Sequence, residues 1–240
     1  MPLDDYRLIS LAHVNDPATT SVFPGDPPFR LTTVASVAED GFYLQYVEQG
    51  EHTGTHWGAP VHFHANEAAA DELEPGDLFL PAVKLDFRAQ AEADHDAAVT
   101  VAELEAWVHQ HGPMPNEAAV ILWTGWESRW GSTTFANADG DGRMHHPGFS
   151  IAAVEWLLAN GVLGRRGALG TDTFSPDVGT DASYAVSKLL YQEHRISLEV
   201  LANLEELPTT GAHVLAGGPI HRRGSGSTAT VFGFLPKPKT

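Results

Sequence analysis

The chain has 240 residues, 42% of them hydrophobic and 19% charged, a composition that supports a buried core and excludes disorder as its main state. Its 14 Lys+Arg against 31 Asp+Glu leave a formal net charge of −17, and the only adjacent basic pairs, Arg165-Arg166 and Arg222-Arg223, are too small to bind nucleic acid or an anionic membrane surface. The absence of cysteine removes disulfides, thiolate metal sites and a cysteine nucleophile.

The chain opens MPLDDYRLIS, acidic and without a signal-like apolar stretch, and no run approaches the roughly 20 apolar residues of a membrane helix. It reads as a cytoplasmic protein and, lacking a linker or repeat, as a single domain over 1–240. Residues 13–28, rich in Pro, Asp and Gly, form a loop. A strand is predicted at 42–49, followed by a second loop at 64–78 and a strand at 81–87. Residues 101–111 are a helix: Thr100 caps it, Glu103 completes a capping box, and Leu104, Trp107, Val108 and His111 mark one face. Gly112 and Pro113 end it. The run AAVILWT (118–124) is apolar throughout, as in a strand buried on both faces. A loop at 131–148 precedes a helix that starts after Ser150 and stops at Gly161. A helix over 183–192 and strands at 212–217 and 229–235 complete an α/β pattern with a mixed sheet.

Residues 52–64 read HTGTHWGAPVHFH, four of the chain's 13 histidines in 13 positions. Gly54, Gly58 and Pro60 argue against a helix. An extended run would place His52, Gly54, His56, Gly58 and Pro60 on one side, two imidazoles with space between them. Converging imidazoles bind zinc or manganese, and without metal they are the general acid and base of neutral pH. The bland alternative is that they cap turns or lie in solvent. Trp57 and Trp126 either wall a flat ligand or belong to the core, and Phe23 is a candidate pocket lid. Asp172 either orients a site histidine or caps a turn. The stretch 224–227 lacks a P-loop lysine and reads as a turn. Ser150 and Ser187 lack a nucleophile-elbow context.

The run His52-Thr-Gly-Thr-His56 with Pro60 and His62 resembles the HxGTHxDxPxH signature of the Putative cyclase family, which includes kynurenine formamidases (arylformamidases), isatin hydrolases and cyclases of secondary metabolism. FPGDP (23–27), TGW (124–126), HPGFS (146–150), GTD (170–172), ISLEVLANLEELP (196–208) and GSGSTATVFGF (224–234) resemble further family segments in the same order. The resemblance implies a swivelling β/β/α fold, a homodimer or homotetramer and a water-activating divalent metal. It also implies His52, His56 and Glu199 as ligands and His62 as the proton-transfer histidine.

Two positions depart from that pattern. Gly58 stands where the family has a ligand aspartate, and Ser187, twelve residues before Glu199, stands where it has a ligand histidine. A two-metal site is therefore not expected. What remains is either no metal, or one zinc or manganese on His52, His56 and Glu199. His64 and His194 read as surface residues, His194 lying about 10 Å along a helix from Ser187. The first reading is an enzyme that closes a ring on a small carbonyl-containing metabolite, with His52, His56, His62 and Glu199 moving protons. Phe23, Trp57, Gly58 and Ser187 are then the expected substrate contacts. The second reading is a metal-dependent amide or lactam hydrolase, and the third an inactive small-molecule-binding protein.

Overall fold

The computed structural model describes residues 3–237. Among the described residues there are thirteen strands: β1 Tyr6–Ser10, β2 Arg30–Ala35, β3 Leu44–Glu48, β4 His56–Gly58, β5 Phe79–Asp86, β6 Ala98–Val99, β7 Ala119–Trp123, β8 Gly148–Phe149, β9 Ala168–Thr171, β10 Ile196–Glu199, β11 Ala212–Ala216, β12 Gly226–Thr228 and β13 Val231–Pro236. Nine of them form one mixed sheet in the order β1-β13-β11-β5-β7-β9-β10-β4-β12. The centre, β5-β7-β9-β10, is parallel, and both flanks are antiparallel. The α-helices are α1 Val37–Asp40, α2 Arg88–Ala93, α3 Val101–His111, α4 Ile151–Ala159 and α5 Ala185–Leu190.

Alternation along β7 explains why that strand is apolar throughout. Val120 and Leu122 point into a core shared with Leu104 and Trp107 of α3, Val154 and Leu157 of α4, and Val186 and Leu190 of α5. Ala119, Ile121 and Trp123 point the other way, into a core built largely from strands, with Trp57, Leu198, Val214 and Val231. The sheet curls around this second core.

The cap residues named from sequence act as caps. Thr100 Oγ1 accepts from the Glu103 amide at 3.4 Å, while Glu103 Oε2 accepts from the Thr100 amide at 2.8 Å. Ser150 Oγ accepts from the Ala153 amide at 3.1 Å to start α4.

Two expectations change. The strand expected over 42–49 is β3, which pairs only with β2 in a separate ribbon and is exposed along its whole length. The 52–64 run is not extended. Gly54 turns the chain at φ +63°, β4 lasts three residues, and Pro60–His62 is a 3-10 turn. His52 and His62 therefore reach His56 through turns, not through strand alternation. No helix among the described residues is long and apolar enough to cross a membrane.

Candidate active site

The register of β4 against β10 builds the floor of the site. Gly58 lies opposite Ser197 and His56 opposite Glu199, so these four share one face. Trp57 and Leu198 alternate onto the other face, into the strand-built core. Immediately after Glu199, Val200 adopts φ +56°, a conformation that a β-branched side chain takes only under constraint. The bonds that hold it are its amide to Thr173 O at 3.0 Å and Thr55 Oγ1 to its carbonyl at 2.6 Å.

Above this floor lies a cavity of about 280 Å³, lined by His52, His56, His62, Glu199, Asp26, Ser175 and Ser187 and walled by Phe23, Phe63, Phe174 and Tyr184. His56 Nδ1 donates to Gly54 O at 2.8 Å, and its Nε2 lies 3.0 Å from Glu199 Oε2. Nε2 has no aligned hydrogen-bond partner, so the contact is an ion pair with the N–H off the oxygen's line. Burial pulls His56 toward the neutral form, but the charge of Glu199 and the contact with it outweigh this and hold its pKa above the ordinary value. Burial likewise pushes Glu199 up, and His56, with help from the Ser197 hydroxyl, brings it below the usual carboxylate range. Both shifts favour the imidazolium and carboxylate forms of the pair.

The other two imidazoles are neutral. His52 stacks on His62 with ring centroids 4.1 Å apart and stands edge-on to His56 at 5.0 Å. Burial, and then the like charges of His56 and His62, push its pKa down to about 2. Its Nε2 is 2.8 Å from Ser225 Oγ, which donates its own proton to Glu51 Oε2 at 2.8 Å, so His52 carries its proton on Nε2. His62 sits at the mouth, solvent-exposed as a residue. Enclosure of its ring against neighbouring aromatics lowers its pKa despite Glu199 nearby.

Several expected contacts are corrected. Trp57 is fully buried in the opposite core and does not line the cavity, because strand alternation turns it away from His56. Gly58 lies behind the lining: a Cβ added there would overlap the Tyr191 hydroxyl and stand 2.9 Å from Ser197 Oγ. Ser187 does line the cavity, but its hydroxyl donates to Asp177 Oδ2 at 2.5 Å. Phe23 forms part of the wall as expected. Trp126 is core, and Asp172 holds the turn after β7, accepting from Thr124 and the Glu127 amide. The 224–227 stretch is more than a turn, since it brings Ser225 to His52 and leads into β12. His64 and His194 bind Lys188 O and Asp77, outside the cavity.

Sequence reading missed Asp26, Phe63, Phe174, Ser175 and Tyr184. Phe63 carried a signal, its position next to His62, and Asp26 lies within the FPGDP run. The others come from loops whose approach to the histidines is set by the fold.

A single family description, Putative cyclase, matches residues 9–178. The chain belongs to the Putative cyclase family. An isatin hydrolase from Roseibium aggregatum is 30% identical over 219 residues, covering 88% of this chain and 82% of that protein. Among solved structures, an isatin hydrolase bound to the product analogue thioisatinate superposes with a TM-score of 0.89 at 27% identity, over 98% of this chain and 94% of that one. A potential metal-dependent hydrolase with cyclase activity shares the fold alone, with a TM-score of 0.71 at 17% identity over 97% and 100% of the two chains. Members of the cyclase family are enzymes, and the α/β architecture with its curled mixed sheet is the cyclase-family fold.

The donors of this cyclase-family site do not fit the metal that the resemblance implies. Gly58 has no donor atom, and Ser187 is committed to Asp177. His52 gives its Nε2 proton to Ser225 and keeps Nδ1 alone as a donor atom. Among the described residues, no group of three or more His, Asp or Glu converges as a cation site.

Proposed function

We propose that this chain closes a ring on a small, flat, neutral carbonyl-containing metabolite by histidine and glutamate acid–base chemistry. The observation that carries the reading is the pairing, within one small cavity, of a charged His56–Glu199 couple with the neutral His62. One group can give a proton and another can take one, near neutral pH. The aromatic walls and the cavity of about 280 Å³ suit one or two fused rings. No lysine or arginine lines the cavity among the described residues, and Asp26 adds negative charge, which favours a substrate without a carboxylate.

In this mechanism the substrate's internal nucleophile loses its proton to His62 as it attacks the carbonyl carbon. The carbonyl oxygen takes a proton from His56, and Glu199 holds His56 charged until that transfer. His52, fixed by Ser225, stacks on His62 and keeps its ring in place. The bond formed joins the nucleophile to the former carbonyl carbon; no electrons leave the substrate. Proton exchange with solvent returns His62 to neutral and His56 to imidazolium.

The likeness to isatin hydrolases favours a second reading, lactam hydrolysis, in which water replaces the internal nucleophile and the ring opens. There His62 takes the water's proton as it attacks the amide carbon, the C–N bond breaks, and the leaving nitrogen takes a proton from His56. The test is turnover of isatin-like lactams and of neutral keto-amine precursors, followed by ring absorbance and mass spectrometry, with and without chelator. His62→Ala is expected to lower turnover by about 10²–10⁴-fold. Equal rates for His62→Ala and the parent would remove the acid–base reading, and activity lost on chelation would replace it with a metal-dependent one.

A further inference from the structure

We infer that Tyr191 and Gly58 are a coupled pair: the Tyr191 phenol fills the space that a side chain at position 58 would need and thereby closes the place of a metal-binding carboxylate. The β4–β10 register directs the missing Gly58 side chain across Ser197. A Cβ there would overlap the Tyr191 hydroxyl and lie 3.1 Å from its Cζ. This obstacle is not the loose end of a flexible chain. Tyr191 is 1% exposed, its ring stacks on Phe63 at 5.8 Å with planes 16° apart, and it packs in the core of Val186 and Leu190.

The phenol is also engaged. It donates to Ser197 Oγ at 2.7 Å, and the Gly58 amide donates to the same oxygen at 3.2 Å. One hydroxyl thus collects the backbone of β4 and the side chain that follows α5. The second departing position is on the same helix, because the Tyr191 amide donates to the Ser187 carbonyl at 3.0 Å, one turn earlier. Gly58, Ser187 and Tyr191 therefore form one rearranged contact between α5 and the sheet. Restoring either ligand alone does not restore a site while the phenol stays.

The experiment measures binding of Zn²⁺ and Mn²⁺ alone, by calorimetry and by elemental analysis after dialysis, and needs no substrate. Its outcome is therefore independent of the proposed reaction. The parent and Gly58→Asp/Ser187→His are expected to retain no stoichiometric ion. Gly58→Asp/Tyr191→Leu/Ser187→His is expected to take up one ion per chain, with affinity raised about tenfold or more over the double variant. Stoichiometric metal in the parent, or equal affinity with and without Tyr191, overturns the inference, as does a folded triple variant that stays empty. Should the triple variant not fold, melting temperatures decide. Gly58→Ala is expected to lower Tm by several degrees in the parent and far less in a Tyr191→Leu background. Equal shifts in the two backgrounds overturn it too.

Discussion

His56 is 2% exposed yet charged, and the side chain that makes this tolerable is Glu199, 3.0 Å away. Removing one member of a buried ion pair leaves the other without compensation. Glu199→Gln is therefore expected to cost about 3 kcal/mol of unfolding free energy, read from urea titration. The cost should shrink in a His56→Gln background; additive costs would mean that the pair does not interact. At the same scale, His52, His56 and His62, which stand out by their spacing, and Glu199, which the family resemblance points to, line one cavity. Sequence reading misjudged Trp57 and Gly58, since proximity in sequence to a histidine says nothing about which face of a strand a residue takes.

The ribbon of β2 and β3 is the element whose environment the sequence concealed. Aromatics and aliphatics over 42–49 read as a strand, and Leu44–Glu48 of them form β3. Yet Phe42, Tyr43, Tyr46, Val34 and Val37 are each 57–66% exposed, with Leu44 and Val47 at 48%. A lone two-stranded ribbon is marginal in water. Its exposed apolar side chains lie together on one two-stranded surface, as in an interaction site. We therefore expect the ribbon to pack against a second copy of this chain, making a homodimer in sedimentation experiments. Phe42→Asp/Tyr46→Asp should sediment as a monomer, and a parent monomer at micromolar concentration would rule the arrangement out. Helix α3 makes the contrasting case, since its cap and its apolar face are both local. Thr100→Ala is expected to cost about 1 kcal/mol in denaturant melts.

For the molecule as a whole, buried neutral histidines set the acid limit of stability. Burial pushes His146 and His13 down to about 4, and each has an unpartnered Nε2. Their unfolded values lie near 6.5, so between about 4 and 6.5 the unfolded chain binds more protons than the folded one. Their contribution is thus fully present above pH 6.5 and is lost as pH falls toward 4. Asp172 has the opposite sign: burial raises it to about 6, so its ionisation destabilises the fold as pH rises through that value. Stability is expected to fall steeply from pH 6.5 to 4 in the parent and less steeply in His146→Gln, measured by urea unfolding at each pH; parallel profiles would refute this assignment. The sequence alone determined the family, the α/β pattern, the helix caps and the departure of two ligand positions, because each depends on neighbours along the chain or on short ordered motifs. Only the tertiary structure decided that Asp26 and Phe174 meet the histidines, that Trp57 turns away from them and that Tyr191 occupies the room beside Gly58. Those outcomes depend on strand register and on the packing of α5, which bring together residues more than 100 positions apart.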